Sequence, residues 1–340
     1  MIVDALSAVY GAAATWRRRW YASRTRRLAQ PVISIGNLRV GGTGKTPAVD
    51  CIARLLREQG ERPAILSRGY ARRTPSADVT VVSDCERVLT DVAHAGDEPM
   101  LLARALPGVP VLVCADRHRA GRVAEAQFGA TVHLLDDGFQ HVQLWRDIDL
   151  LLVDEQDLGD RVLPAGRLRE PLANAAAAHA VIVPAATGDD LARTIAERLG
   201  VADVFRAARS LGKPLMLGPG TSTFDESQRL FAVAGIARPE RFFDDLRASG
   251  LKIAGSQAFR DHHAFEPSDV SRIVDAARTA GAGIVVTTEK DAMRLEGLDL
   301  SAMPFAAVPL HTSIEPTDVF SAWLAGRLSR ARAQVDRSAT

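Results

Sequence analysis

The chain has 340 residues, of which 47% are hydrophobic and 24% are charged, and its formal net charge at neutral pH is +1. This is the composition of a globular protein with enough apolar material for a core, and the length predicts two domains. The small net charge provides no global field for nucleic acid, so we expect no nucleic-acid partner. Three widely spaced cysteines suit a reducing compartment and argue against a disulfide framework.

The first 28 residues form a basic amphipathic segment. Apolar residues recur there at steps of three and four, and arginines crowd the second half, where residues 17–19 are all arginine. This charge cluster comes too early for a helix that spans a membrane, which needs about 20 apolar residues. Two interpretations remain open: a helix that lies in an anionic membrane interface with Trp16 and Trp20 at headgroup level, or an amphipathic helix docked on its own domain.

The next segment has the order of strand, glycine-rich turn and helix that a phosphate-binding loop requires. An apolar run at 31–35 is followed by the turn, and apolar residues recur at helical spacing from Ala48. The predicted nucleotide ligands are Gly41, Gly42, Thr43, Gly44, Lys45 and Thr46. We expect the Lys45 ammonium to bind the β- and γ-phosphates and the Thr46 hydroxyl to bind Mg²⁺. The motif is incomplete, because Arg39 stands at its first glycine position.

Charged residues follow several later strands, at the edge where open α/β sheets bind ligands. Arg68 follows one such strand and is either a phosphate contact or an exposed loop arginine. Asp97 opens a helical segment, where it either caps the helix or lies near the phosphates. Asp136 and Asp137 follow another strand, and two adjacent carboxylates there favour a role in holding Mg²⁺ over an ordinary Asp-Gly turn.

Continuous apolar strands that alternate with helices predict the fold class α/β, with a mostly parallel sheet of the P-loop type and helices on both faces. Gly, Pro, Ser and Thr interrupt this pattern at 213–227, which we interpret as a linker. The first domain is then 29–212, and a smaller second α/β domain is 228–305. We expect a final amphipathic helix, 315–334, to pack back on the first domain.

Eight short motifs occur in one order along the chain. They are Gly-Gly-Thr-Gly-Lys-Thr (41–46), Ser-Arg-Gly-Tyr (67–70), Gly-Asp-Glu-Pro (96–99), Asp-Asp-Gly-Phe-Gln-His (136–141), Leu-Pro-Ala-Gly (163–166), Leu-Arg-Glu-Pro (168–171), Asp-His-His (261–263) and Thr-Glu-Lys-Asp (288–291). In these motifs, and in its basic N-terminal helix, the chain resembles the tetraacyldisaccharide 4′-kinases, the lipid A 4′-kinases.

The resemblance implies transfer of the γ-phosphate of ATP to the 4′-hydroxyl of a tetraacylated glucosamine disaccharide 1-phosphate, in lipopolysaccharide synthesis. It implies ATP and Mg²⁺ as cofactors and two α/β/α domains. It also implies a peripheral enzyme on the cytoplasmic face of the bacterial inner membrane, whose partners are the lipid substrate and the anionic membrane surface.

The resemblance further implies roles for individual side chains. Asp97 would accept the proton of the attacking hydroxyl, and His262 from the second domain would modulate it. Asp137 and Glu170 would bind the metal, with Asp136 as a nearby supporting carboxylate. The candidates for binding the substrate and its phosphate, which the sequence cannot rank, are Arg68, Arg117, Arg119, Arg167, Arg169 and Gln140.

Two other functions remain open from the residues themselves. One is a membrane-attached nucleotide switch without a small acceptor, because residues 288–291 loosely resemble a guanine-reading loop with its lysine displaced by one position. The other is a kinase of a soluble hydroxyl compound, with the N-terminal helix merely packed on the core. A phosphorylated lipid product would exclude the switch, and dependence on detergent would separate a lipid acceptor from a soluble one.

Overall fold

The computed structural model describes residues 2–42, 44–69, 72, 74–218, 224–225 and 227–339. The chain forms two compact units. The first unit comprises Met1–Ala208 and Thr312–Thr340, and the second unit comprises Arg209–His311. Among the described residues, no helix is both long enough and apolar enough to cross a membrane.

The secondary structure alternates between strands and helices along most of the described chain. The strands are β1 (Val32–Asn37), β2 (Pro63–Ser67), β3 (Thr80–Ser83), β4 (Val111–Val113), β5 (Val132–Asp136), β6 (Ile148–Leu152), β7 (Ala180–Pro184), β8 (Asp203–Leu211), β9 (Leu215–Leu217), β10 (Leu230–Ala234), β11 (Ile253–Ala258), β12 (Ile284–Thr288), β13 (Phe305–Val308) and β14 (Leu310–Glu315). The α-helices are α1 (Ile2–Tyr21), α2 (Lys45–Glu58), α3 (Val92–Ala95), α4 (Asp97–Ala105), α5 (Arg117–Phe128), α6 (Glu155–Leu158), α7 (Asp189–Leu199), α8 (Pro239–Ala248), α9 (Pro267–Thr279), α10 (Glu289–Leu295) and α11 (Thr317–Ala339), with a 3₁₀ helix at Leu172–Ala177.

Nine of the described strands form one sheet, in the order β14-β8-β7-β6-β1-β5-β2-β4-β3. β1 is parallel to its neighbours β5 and β6, and β3 pairs antiparallel with β4 at one edge. All six residues of β1 are buried, as expected for a parallel strand whose two faces are covered by helices. Because the strands next to β1 are parallel to it, their carboxyl ends lie along one edge of the sheet. The predicted α/β fold is confirmed.

Two amphipathic helices show how the apolar pattern covers this sheet. The buried residues of α2 recur at helical spacing and include Val49, Ile52 and Leu56. On α11, Phe320 and other buried residues form one stripe, and the Phe320 ring centroid lies 4.9 Å from that of Phe205 on β8. The C-terminal helix therefore packs against the first unit.

The second unit has a five-stranded sheet in the order β11-β10-β12-β13-β9. β10, β11, β12 and β13 pair in parallel, and β9 is antiparallel to β13 at the edge. Buried residues of α9 pack in one apolar cluster of this unit, and those of α8 pack in another. This unit is a smaller α/β layer structure of its own.

The interpretation of 213–227 as a linker differs from the structure. Residues 215–217 form β9, and the described residues of the segment belong to the second unit. A three-residue edge strand among glycines and prolines has too few residues to show a period of two, so composition concealed it. Within this segment, residues 219–223 and 226 lie outside the described part of the chain.

Candidate active site

The glycine-rich turn connects the end of β1 to the start of α2. Gly41 and Gly44 have φ values of 105° and 87°, which residues with a side chain rarely adopt. Gly44 is the N-cap of α2 and makes no side-chain capping hydrogen bond, so the first N–H groups of that helix are available to an anion, which the helix dipole would also stabilise. Gly42 is exposed beside them, whereas Thr43 lies outside the described residues.

Arg39, at the position of the missing first glycine, is a buried structural residue. Its guanidinium lies 3.3 Å from an Asp157 carboxylate oxygen and 3.5 Å from an Asp160 oxygen. The next residue, Val40, donates its N–H to a carbonyl of the loop at 161–169, at 2.9 Å. The first half of the turn is therefore held by that loop, which explains the departure from the complete motif.

Lys45 lies between two side chains at the ends of neighbouring strands. Its Nζ atom is 3.1 Å from Asn37 Oδ1 and 3.6 Å from Asp137 Oδ1. Asn37 is fully buried at the end of β1, and sequence reasoning did not identify it. An amide at the end of an apolar strand, directly before a glycine turn, was the available signal. Asn37 and Asp137 together hold the Lys45 ammonium group beside the glycine turn.

Two carboxylates lie at the end of β5. Asp136 is its buried last residue, and Asp137 follows with a left-handed φ of 55°. Burial would raise the pKa of Asp137, but the charges of Lys45 and Arg169, whose Nη1 atom is 2.7 Å from Asp137 Oδ2, outweigh it and hold that pKa below its ordinary value. Asp137 is therefore ionised at neutral pH. Its Oδ1 atom is buried and pairs with the Lys45 ammonium at 3.6 Å.

Glu170 is the centre of a hydrogen-bond network that the sequence did not predict. It accepts hydrogen bonds from Arg18 at 3.0 Å, from Gln140 at 2.8 Å and from Asn174 at 3.0 Å. Both of its oxygen atoms take part, and the side chain is buried. That Glu170 binds the metal stays a prediction, and these hydrogen bonds hold its carboxylate in place by both oxygen atoms.

Arg117 lies close enough to both aspartates and to Arg68 for their charges to interact. Burial, together with the like charge of Arg68, lowers the pKa of Arg117 to about 10, although Asp137 and Asp136 act in the opposite direction. Arg117 remains a cation at neutral pH. Burial and the charge of Arg117 also lower the pKa of His141 to about 3, so this histidine is neutral.

The other predicted arginines have different surroundings. Arg119 is exposed and pairs with Asp78 at 2.7 Å, and Arg167 is also exposed. Arg169 is half-buried against Asp137, and its Nη1 atom also lies 3.3 Å from Gln140 Oε1. The structure therefore brings Arg117 and Arg169 near the aspartates and Arg68 near Arg117, and it gives Arg119 a surface partner instead.

Asp97 is the first residue of α4. The preceding residue, Gly96, has φ 87° and ψ 160°, a conformation open to glycine and strained for other residues. Asp97 is half-buried. Its position at the start of a helix agrees with both sequence interpretations, and its role as a proton acceptor stays a prediction.

His262 belongs to the second unit and has a left-handed φ of 57°. Its Nδ1 atom lies 3.1 Å from Arg294 Nη2, and its Nε2 atom lies 3.3 Å from Lys290 Nζ. Arg294 is held in turn by hydrogen bonds to the Gly235 carbonyl and to Asp291. A guanidinium and an ammonium only donate, and a neutral imidazole accepts at one nitrogen atom, so only one of these two contacts is a hydrogen bond to a neutral ring.

Residues 288–291, which loosely resemble a guanine-reading loop, have a structural role. Asp291 is fully buried and accepts hydrogen bonds from the Gly235 N–H at 2.9 Å and from Thr288 Oγ1 at 2.7 Å. A carboxylate that is buried and hydrogen-bonded in this way is not accessible to the guanine ring of a nucleotide. This observation removes the support that the motif had offered for a nucleotide switch.

Within the described part of the chain, no three or more histidine, cysteine, aspartate or glutamate side chains are grouped so that they could hold a metal ion. A site for a divalent cation would therefore need hydroxyl, phosphate or water oxygen atoms in addition to the two aspartates of β5. Mg²⁺ commonly binds in this way, through one or two carboxylates and the phosphates of its substrate.

Comparison with known proteins identifies the family of this chain. A family model described as "Tetraacyldisaccharide-1-P 4'-kinase" matches residues 1–329. The chain belongs to this tetraacyldisaccharide-1-P 4′-kinase family. Among its relatives, the tetraacyldisaccharide 4′-kinase of Geobacter metallireducens is 40% identical over 332 residues, which cover 92% of this chain and 97% of the relative. That of Syntrophus aciditrophicus is 36% identical, with 94% of this chain and 91% of the relative covered.

A solved structure extends the family comparison to three dimensions. The chain is similar to a crystal structure of LpxK from Aquifex aeolicus in complex with ATP, with a TM-score of 0.75 and 30% sequence identity. The match covers 96% of this chain and 100% of the other. A family member with the same fold thus binds ATP.

Proposed function

We propose that this chain transfers the γ-phosphate of ATP to the 4′-hydroxyl of a tetraacylated glucosamine disaccharide 1-phosphate, the 4′-kinase step of lipid A synthesis. Its membership of the kinase family supports the reaction. The observation that carries the proposal is the glycine turn between β1 and α2, with the Lys45 ammonium held beside Asn37 and Asp137.

The turn supplies the positive charge that phosphoryl transfer needs. A sugar hydroxyl is a weak nucleophile, so catalysis depends on positioning the reactants and on stabilising charge on the transferred group. Lys45 offsets charge on the β- and γ-phosphates, and the N–H groups at the start of α2 bind phosphate oxygen atoms. Asn37 and Asp137 orient Lys45 before ATP binds, so the enzyme does not have to reorganise this charge during the reaction.

We also place Mg²⁺ beside the turn, bound by the Thr46 hydroxyl and by Asp137, with Asp136 as a supporting carboxylate. This donor set consists of oxygen atoms, which a hard cation prefers. Asp137 supports the assignment by its charge and position, because its carboxylate is ionised and lies beside the turn, 3.6 Å from the Lys45 ammonium. The ion would neutralise part of the charge on the phosphates.

Asp97 is our candidate for the proton acceptor, with His262 modulating it. The family resemblance supports both roles. In the second unit, the His262 ring is held between the Arg294 guanidinium and the Lys290 ammonium. Asp97 would take the proton of the attacking hydroxyl, and His262 would modulate it.

Arg68 and Arg117 are the best candidates for the phosphate of the lipid substrate. Their mutual repulsion, which contributes to the lowered pKa of Arg117, would be relieved by an anion placed between them. Arg169 and Gln140 belong to the network around Asp137 and Glu170, so their contact with substrate would be made from a fixed position.

We further propose that the enzyme acts as a peripheral protein on the cytoplasmic face of the bacterial inner membrane. Large apolar side chains on α1 are exposed, with Val9 at 68% and Trp16 at 62%. The ring centroids of Trp16 and Trp20 lie 5.3 Å apart, which forms a compact aromatic surface. Aromatic rings favour the headgroup level of a membrane, and an acylated substrate is found there too.

One assay tests the proposed reaction. Purified protein is incubated with ATP labelled at the γ-phosphate, Mg²⁺ and the lipid disaccharide 1-phosphate in detergent micelles. We expect a labelled lipid whose phosphate is at the 4′ position. A protein that hydrolyses ATP at the same rate with and without lipid, and yields no labelled lipid, would contradict the proposal. A matched reaction with a deacylated disaccharide distinguishes a lipid acceptor from a soluble one.

A further inference from the structure

The N-terminal helix α1 has a docked face as well as an exposed one. Ser7 and Gly11 are its buried residues. The Ser7 hydroxyl accepts a hydrogen bond from the Ala165 N–H at 3.0 Å, and a Cβ atom at Gly11 would lie 3.3 Å from a Pro171 side-chain atom. This face therefore packs on the segment at 163–171, which also carries Arg169 and Glu170.

Arg18 continues the docked face into the interior. Its Nε and Nη2 atoms donate to the Glu170 carboxylate at 3.0 to 3.2 Å, and Nη2 also donates to the Phe139 carbonyl at 3.1 Å. Its guanidinium lies over the Phe139 ring, 4.3 Å from the centroid. The side chains of Arg18 and Glu170 are only 16% and 4% exposed, so solvent screens this ion pair little. Because the Arg18 guanidinium is buried and makes several hydrogen bonds within the protein, it is not exposed to lipid headgroups.

A continuous chain of contacts leads from Arg18 to the glycine turn. Glu170 accepts from Gln140 at 2.8 Å, and Gln140 Oε1 accepts from Arg169 Nη1 at 3.3 Å. The same Arg169 nitrogen donates to Asp137 at 2.7 Å, and Asp137 lies 3.6 Å from the Lys45 ammonium. All of these contacts lie within the first unit. The two ends of the chain are thus a helix with an exposed apolar face and the proposed phosphate site.

We propose that Arg18 is a positioning residue, which fixes the Glu170–Gln140–Arg169 network and through it the orientation of Asp137 beside Lys45. Without Arg18, the hydrogen-bond donors to the buried Glu170 carboxylate among the described residues would be the neutral amides of Gln140 and Asn174. A buried charge that loses its counter-ion reorients or takes up a proton. Either change removes one of the two acceptors of the Gln140 amide, the other being the Asn37 carbonyl at 2.9 Å, and so loosens the side chain that accepts from Arg169.

Two roles for Arg18, anchoring α1 and positioning the Glu170–Gln140–Arg169 network, predict different effects of its substitution. If it only anchors α1, its loss would lower stability and leave the geometry around Asp137 unchanged. If it positions the network, its loss would loosen the backbone after β5 and slow phosphoryl transfer without impairing ATP binding. The inference rests on the proposed function for its kinetic part, whereas the local order of residues 137–140 can be measured with no substrate or metal present.

The experiment compares Arg18→Met and Arg18→Lys with a matched control, Arg193→Met, which breaks an exposed pair with Asp190 on α7. Amide hydrogen exchange is measured on the protein alone, and kcat and KM for ATP are measured in micelles. For Arg18→Met we expect faster exchange at residues 137–140 and a loss in kcat of roughly 10- to 100-fold, the range for partners that orient the ligands of a metal. KM for ATP should stay near that of the unsubstituted protein, and Arg193→Met should match it in every measurement.

Arg18→Lys keeps the charge and the aliphatic stem but loses the fork, so an intermediate effect is expected. It also serves if Arg18→Met does not fold. Exchange at residues 137–140 and kcat that both equal those of the unsubstituted protein would overturn the inference, whatever the melting temperature. Failure of the unsubstituted protein to phosphorylate lipid would instead contradict the proposed function, and the exchange measurement would still test the role of Arg18.

Discussion

Lys45 is one of only four lysines in a chain that otherwise uses arginine for positive charge. A compact ammonium fits between Asn37 Oδ1 and Asp137 Oδ1, where the planar fork of an arginine would not. The choice of residue at this position is therefore set by local geometry.

We expect Lys45→Ala to reduce phosphoryl transfer by at least roughly 10²- to 10³-fold, because it removes a preorganised charge from the transferred phosphate. The measurement is kcat with the lipid acceptor, together with ATP affinity. The exposed Lys213→Ala in the second unit is the matched control and should have normal activity. Turnover by Lys45→Ala close to that of the control would remove the glycine turn as the nucleotide site.

At the scale of single elements, α1 is docked on its own unit, as one of the two sequence interpretations expected, and the proposed membrane binding rests on its exposed face. Its docked face includes Ser7, Gly11 and Arg18, and its exposed face includes Val9 and Trp16. Several arginines near its end have protein partners, since Arg26 pairs with Asp116 and Arg27 lies over the Trp145 ring. The apolar surface therefore has a larger part in the proposed membrane binding than a count of arginines suggests.

We expect the triple substitution Leu6→Ser, Val9→Ser and Trp16→Gln to weaken binding to anionic liposomes while the protein stays folded, because these side chains are exposed. Flotation measures the bound fraction. Deletion of residues 1–27 is a poorer test, since it also removes Arg18 from Glu170. Leu89→Ser, at another exposed leucine, should bind like the unsubstituted protein. Equal flotation of the triple variant would show that the exposed face of α1 is not the lipid contact.

The C-terminal helix α11 allows a prediction of stability. Phe320 is 1% exposed, and its ring packs edge-on against Phe205 and 6.0 Å from that of Trp323. Phe320→Ala should lower the free energy of unfolding of the first unit by roughly 3 to 5 kcal/mol, as for other large buried aromatic residues.

Denaturant unfolding followed by tryptophan fluorescence measures this change, since Trp323 lies in the same cluster. Val319→Ala, at a neighbouring residue that is 53% exposed, is the control and should change stability little. If the two variants were equally stable, the packing of α11 on the first unit would not contribute to its stability.

At the scale of the whole molecule, the proposed proton acceptor and its modulator belong to different units. Asp97 is in the first unit and His262 is in the second. Asp97→Asn keeps the size of the side chain but removes the acceptor, and loss of a general base costs on the order of 10² to 10⁴ in rate. His262→Ala should cost less, because a group that tunes a base is not itself indispensable.

Measuring kcat for both single variants and the double variant shows whether the two residues act together. We expect the double variant to be little slower than Asp97→Asn, since the contribution of His262 would pass through Asp97. ATP affinity should be unchanged in all three variants. Losses that simply multiply in the double variant would mean that the two residues act independently.

The amino-acid sequence by itself determined the α/β class, the glycine turn and the carboxylates after β5. These features are local: a continuous apolar run, a glycine turn and apolar residues at a period of 3.6 are all readable within about two dozen neighbouring residues. Lys45 and the motifs of the family resemblance belong to the same category. The structure places the described residues of the turn where this reasoning expected them.

Only the tertiary structure decided which side chains share a partner. The sequence presented Glu170 only as a candidate metal ligand, whereas the structure shows that Arg18, 152 positions earlier in the chain, donates to both of its oxygen atoms. The role of Asn37 depends on its contact with Lys45, because the turn brings the Lys45 ammonium back to the end of β1. The strand β9 is recognised only by its pairing with β13, which lies far along the chain. Such contacts depend on distances in space between segments remote in sequence, and neither hydrophobic period nor residue type specifies those distances.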